Sequence, residues 1–206
     1  MKSLFSLRRG LIAGLFAMLF STVALADAPT EPTWVKEGVN WGQYSKFLVM
    51  PLNIDNVKVV RPPWAEDDPK EWTIELDNLA AIQAIFRDAM QDTLTADDGY
   101  PVVYAASKDA LEVEVEILAI MPWLRPGSGT TKDGMEVETL GSGEITASIE
   151  LRDSTTRELL LLLEGDKAVG DEYQQFTAAN NAANLEKMFT RFAKRLRTAM
   201  DKVHGK

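Results

Sequence analysis

The side chains in this sequence that could carry chemistry are carboxylates and indoles. Glu112, Glu114 and Glu116 alternate along one stretch, and Glu144 and Glu150 lie in the next. Spacing by two along an extended chain places such carboxylates on one face, about 6–7 Å apart. That geometry fits a hard cation or a basic partner, but calcium sites usually need six or more convergent oxygens. Arg152 falls among these carboxylates, so a solvated outer face laced with arginine is the simpler expectation. Imidazole and thiolate chemistry is nearly absent. The only histidine is His204, close to the end of the chain, and there is no cysteine. Ser-His-Asp and Cys-His constellations would rest on His204 alone, and zinc sites built on imidazole or thiolate are excluded. The run GSGTTKDG at 127–134 lacks the GxxxxGK(S/T) spacing of a phosphate loop and joins two strands, not a strand and a helix. We therefore expect no catalytic residue, no metal site and no cofactor.

The indoles are more suggestive. Trp64 and Trp72 lie in the proline-rich, acidic stretch RPPWAEDDPKEW at 61–72, and Trp123-Leu124-Arg125 opens a long Gly-rich connection at 122–143. Trp and Arg are enriched at binding hot spots, although Trp also serves as an ordinary half-buried loop anchor. Trp64, Trp72, Trp123, Leu124 and Arg125 are candidate binding residues. Leu160 and Leu162 join them through the hairpin predicted at 143–165. There Ile145, Ala147, Ile149 and Leu151 alternate with polar residues, Asp153-Ser154-Thr155-Thr156 forms a turn, and Leu159 to Leu163 is an unbroken apolar run. If Leu151 pairs with Leu159, Leu160 and Leu162 point to the outer face. With Leu118 and Ile120 they would form a non-acidic patch of the kind that marks an interface.

The elements that position these residues follow from hydrophobic periodicity. KFLVMPL at 46–52 has the length of a buried strand, with Pro51 at its end, and 57–60 reads as a short strand that continues it. From Thr73, a plausible N-cap, to about Thr95, apolar residues recur at spacings of three and four, as on a helix. Residues 101–105 read as a short strand, and LEVEVEILAIM at 111–121 alternates as a longer one. Residues 184–203 form a basic amphipathic helix whose stripe includes Leu185, Phe189, Leu196 and Met200. The order is β-α-β-β-β-β-α. It predicts an α+β single domain, a mostly antiparallel sheet with two helices packed on one face. The domain spans 46–203, with a short tail at 204–206. Residues 27–45, with Trp34, Trp41 and Tyr44, read as an extended arm that docks by its aromatics.

The chain has 206 residues and a net charge of −9. Residues 1–26 read as a secretory signal peptide: Lys2, Arg8 and Arg9, an apolar run from Leu11 to Phe20, then Ala24-Leu25-Ala26 as a cleavage site. The apolar run is short for a membrane span. Cleavage after Ala26 would leave a chain of charge −12, with the seven basic residues beyond position 183 concentrated in the last helix. Without cysteine there is no acylated anchor. The expectation is a periplasmic protein, exported by the general secretory route, with no stable membrane anchor after cleavage. Its acidic body argues against nucleic acid as a partner.

GQYSKFLVMPL after the Trp-bearing arm, SKDALEVEVEI, IELRDSTTRELL and the terminal FAKRLRTAMD resemble the bacterial envelope family known as domain of unknown function 3313. The similarity spans roughly residues 34 to 202. More loosely, the chain is similar to the periplasmic domain of the curli-secretion lipoprotein and to the N-terminal domain of TolB. Members commonly carry Gly after the turn Thr, where this chain has Arg157, and many are lipoproteins. The resemblance implies the β-α-β-β-β-β-α order and no established activity. The function expected is that of a non-enzymatic binding or adaptor protein of the envelope, engaging an envelope protein or a second copy of itself. The alternatives are a carboxylate-dependent envelope hydrolase and a carrier of a small ligand or lipid. A deep apolar cavity between helices and sheet would favour the carrier.

Overall fold

A computed structural model describes residues 31–125, 128–129 and 134–206. The expected leader at 1–26 and the first residues of the arm lie outside them, as does part of the connection at 122–143. The described residues fold as α+β, with two α-helices and a mixed, mostly antiparallel sheet of six strands. The strands of that sheet are β1 (Trp34–Val35), β2 (Lys46–Val49), β3 (Lys58–Val59), β4 (Ala110–Pro122), β6 (Gly143–Asp153) and β7 (Leu159–Val169). The order across the sheet is β1-β7-β6-β4-β2, with β3 also on β4. β5 (Glu138–Leu140) and β8 (Tyr173–Gln175) pair separately as an antiparallel ribbon. The helices are α1 (Leu76–Thr95) and α2 (Ala178–His204). β2 and β4 are parallel, so the chain between them must cross over, and α1 lies in that crossover. Residues 101–105 form only an isolated bridge, Val102 to Phe47.

Alternation along β4, β6 and β7 creates the core. Val113 pairs with Leu151 and Leu151 with Leu161; Val115 pairs with Ile149 and Ile149 with Leu163. These rows face the helices, which contribute Phe86, Met90 and Leu94 from α1 and Phe189, Leu196 and Met200 from α2. Phe86 and Phe189 meet edge-to-face at 5.2 Å, a favoured aromatic arrangement. The arm is held by its aromatics: Trp41 and Tyr44 are fully buried, and β1 adds a short antiparallel strand to β7. His204 is not a free surface residue. Its Nε2 lies 2.8 Å from the Tyr44 carbonyl, and its ring lies beside Tyr100.

Two bulges change which side chains face in. The β4–β6 register shifts between Ile117 and Ala119, so Ile120 turns towards the core and is 8% exposed, while Leu118 faces out. The β6–β7 register pairs Leu151 with Leu161, not Leu159, and shifts between Leu151 and Arg152. The extra residue of that bulge is Leu160, which is buried with the core at 3% exposure. An extra residue in one strand breaks the period of two. The expected outer placement of Ile120 and Leu160 is therefore corrected. Leu162 does face outwards, half-buried opposite Trp34 of β1. The apolar outer patch expected from these leucines does not form.

The hairpin turn is held by a single carboxylate. Asp153 Oδ1 accepts from the backbone amides of Thr155 and Thr156 at 3.0 and 2.9 Å and from both hydroxyls. Oδ2 accepts from the Tyr44 hydroxyl at 3.0 Å, tying the turn to the arm. Arg157 follows with φ 62°, a left-handed backbone that favours Gly. This is the position where the resembling family commonly carries Gly.

Candidate functional site

The carboxylate face is the first candidate. Glu112 and Glu114 are both engaged by Arg157, while Arg152 bonds Glu114 and Glu150. The outer face is thus an alternating network of charges, as the position of Arg152 suggested. Glu112 is almost wholly buried. Burial pushes its carboxyl up, and the Arg157 guanidinium works against that shift. Among the described residues, no group of three or more His, Cys, Asp or Glu side chains is arranged to hold a metal ion.

The indole candidates come together in part. The loop at 61–72 folds onto the start of the 122–143 connection, and the Trp64 and Trp123 rings stand 5.3 Å apart, tilted by 49°. Arg125 pairs with Glu71 across the same junction. The Trp123 indole donates to the Leu140 carbonyl at 2.8 Å, fixing the ring on β5. Trp64 remains 63% exposed. Leu124 and Arg125, which follow Trp123 in sequence, are half-buried. Trp72 is different: it is 4% exposed, so it anchors the loop and presents no surface. Leu160 is in the core and Leu162 beside β1, both remote in the sheet order from this corner, since β7 and β4 are separated by β6.

A cleft of about 500 Å³ opens between the two helices and the end of the sheet. Its walls are Ile74, just before α1, with Asn78, Ile82 and Ile85 of α1 on one side, and Ala178, Asn181, Ala182 and Leu185 of α2 on the other. Its floor is Ile120, Pro122, Ile145 and Val169, with Phe176 at one edge. The cleft exists because its facing positions are small: Ala81, Ala178, Ala182 and Gly143 leave the space that larger side chains would fill. Two features of the sequence build it. Thr177 caps α2, its hydroxyl accepting from the Asn180 amide at 3.2 Å, so the helix begins six residues earlier than its apolar stripe suggests. The bulge in β4 turns Ile120 to this side.

Few polar groups enter the cleft. Glu136 and Glu144 line it, and Glu136 accepts from the Gln175 amide. Asn181 Oδ1 is shielded from solvent and has no hydrogen-bond partner. Ser142 Oγ accepts from the buried Asn184 amide at 2.8 Å. Asn184 packs against Gly170, whose φ of 90° and missing side chain both permit the approach. Among the described residues, no imidazole, thiol or basic side chain lines this cleft. Sequence reasoning missed these residues because they come from many separate segments, spread from Ile74 to Leu185. The indole corner adjoins the cleft along the chain: Pro122 lines the cleft and Trp123 follows it.

Among solved structures, the chain is similar to protein XCC0632 from Xanthomonas campestris, described with the family DUF330. The two are 14% identical with a TM-score of 0.42, over 89% of this chain and 94% of that one. It is similar to the hypothetical protein CT253 from Chlamydia trachomatis, 13% identical with a TM-score of 0.38, over 79% and 99%. It is also similar to the PelC dodecamer from Paraburkholderia phytofirmans, 12% identical with a TM-score of 0.34, over 72% and 88%. No curated protein matches the chain. Among the described residues, no helix is long and apolar enough to cross a membrane. The family model described as "Protein of unknown function (DUF3313)" matches residues 22–196, and the chain belongs to that family.

Proposed function

We propose that this chain is a non-enzymatic binding protein of the bacterial cell envelope that holds a small, mostly apolar ligand between its helices and its sheet. The observation that carries this reading is the cleft of about 500 Å³. A volume of that order with apolar walls and a few polar groups has the character of a ligand site. Asn181 lines the cleft, and its Oδ1 has no hydrogen-bond partner within the protein. With Glu136 and Glu144 alongside, the polar end of the ligand is a neutral or cationic donor, such as a hydroxyl or an amine. The envelope location rests on the basic, apolar and small-residue order of residues 1–26. A carboxylate-dependent hydrolase has less support, since Glu136, one of the two cleft carboxylates, is already engaged by the Gln175 amide.

The test is titration of the purified protein with N-phenyl-1-naphthylamine, a neutral apolar dye whose emission rises on burial. Saturable binding is expected, weakened at least tenfold by Ala182→Trp, which fills the cleft. Equal binding by the folded variant would refute the site.

A second reading is favoured by the tilted contact of Trp64 and Trp123 at their partly exposed corner. There the protein would dock an envelope partner, as an adaptor. A photo-crosslinker at position 123 should then capture one partner in cells, and Trp64→Ala should remove that capture. An unaltered capture pattern in the variant would count against the corner.

A further inference from the structure

A second cavity, of about 110 Å³, lies beyond the cleft, between α2 and the strands β6 and β7. Ala147 pairs with Gly165 in its floor, so the sheet carries little side-chain bulk there. Ile149, Leu163, Met188 and Phe192 wall it. The basic groups at its rim are already engaged. Lys187 meets Glu172 at 3.6 Å, Arg191 meets Asp171 at 3.4 Å, and Lys167 and Arg195 have partners as well. The space therefore suits hydrocarbon and has no call for a charge.

The cleft and this cavity lie in line along the sheet. The inward positions of β6 are Gly143, Ile145, Ala147 and Ile149. Gly143 belongs to the cleft, with Val169 opposite it, and Ala147 and Gly165 belong to the second cavity. Ile145 stands between them. Among the described residues it alone lines both spaces, and it is 2% exposed. The cleft itself passes from polar to apolar in chain order on every wall: Asn78 to Ile85 on α1, Asn181 to Leu185 on α2, and Ser142 to Ile145 on the floor. Just beyond Ile85 and Leu185, the buried Phe86 and Phe189 meet at 5.2 Å and close the gap between the helices. The way onward from the apolar end is past Ile145. An apolar cavity of about 150 Å³ can hold benzene, so about 110 Å³ has room for roughly four carbons.

We infer that Ile145 fixes the length of chain this site accepts. The ligand is a neutral single-chain amphiphile with a hydroxyl-bearing head, the head beside Asn181 and the end of the chain against Ile145. The polarity of the walls sets that orientation, and the closure at Phe86 and Phe189 leaves Ile145 as the stop. This inference rests on the cleft as the ligand site and adds the residue that measures the chain. Trimming Ile145 to Ala joins the two spaces and lets the chain run on over Ala147 and Gly165.

The experiment is displacement of N-phenyl-1-naphthylamine from the purified protein by n-alkyl glucosides from hexyl to dodecyl, each below its micelle concentration. In the native protein, affinity is expected to rise about fourfold per methylene buried, then to level off at a limiting length. In Ile145→Ala the limit is expected to move to chains about two to four carbons longer. Adding Ala147→Met, which refills the second cavity, should return the limit to its native length. The readout is a chain length, so a general loss of stability in Ile145→Ala does not imitate it. The same limit in the native protein and in Ile145→Ala would overturn the inference. So would a rise that never levels off in the native protein, or a shifted limit that Ala147→Met leaves in place. Absence of glucoside binding, or binding untouched by the cleft-filling Ala182→Trp, would refute the cleft and this inference with it. Binding that Ala182→Trp removes, with a limit that Ile145→Ala does not move, would refute this inference alone.

Discussion

Asp153 joins three parts of the fold through one carboxylate: the β6 strand, the hairpin turn and the arm at Tyr44. Burial disfavours its charge, but the bonds from Thr155, Thr156 and Tyr44 outweigh that and hold its carboxyl down at about 2, from 3.8. A carboxyl lowered on folding stabilises the protein above its unfolded value, and the stabilisation is lost as pH falls through the folded value. The shift corresponds to about 2 kcal/mol. Comparing denaturant unfolding of the native protein and Asp153→Ala, the gap in stability should narrow by about that amount between pH 6 and pH 2. A gap independent of pH would mean that the carboxylate is not held in this way. The turn chemistry was legible, because Asp, Ser and Thr in succession bond their own backbone. The backbone of Arg157 was not, since an arginine seldom adopts a left-handed φ. Its guanidinium explains the choice, because it reaches Glu112 and Glu114, and Gly could not.

At the scale of elements, the strands declared themselves by alternation and the helices by their stripes. The two bulges did not, because a bulge leaves composition unchanged and alters only the phase. The phase decides function here. Without the bulge in β4, Ile120 would face outwards and the cleft would lose part of its floor. Truncation should reveal the difference. Ile120→Ala removes a buried side chain and should destabilise the protein by about 2–4 kcal/mol, whereas Leu118→Ala, at an exposed position, should change stability by less than about 1 kcal/mol. Equal effects in thermal or denaturant melts would argue for an unbroken period of two. The early start of α2 had a readable signal that the apolar stripe concealed. Thr177 precedes an Ala- and Asn-rich run in which Ala favours the helix and Thr caps it.

At the scale of the whole molecule, the two helices do not seal the sheet. They close over its centre, where Phe86 meets Phe189, and leave an acidic-rimmed cleft on one flank of α2 and a cation-rimmed groove on the other. Neither space was legible in the sequence, because each is defined by small residues from segments distant along the chain. What the sequence did convey was the scarcity of imidazole and thiol groups and the set of indoles, two of which, Trp64 and Trp123, meet beside the cleft. The most direct test of the binding role is amide chemical-shift mapping during titration with N-phenyl-1-naphthylamine. Saturable shifts are predicted along Ile74–Ile85, Ser142–Ile145 and Phe176–Leu185, with little change in the Asp153 turn. Shifts that never saturate, or that fall only around Trp64 and Trp123, would contradict a ligand held between the helices and the sheet.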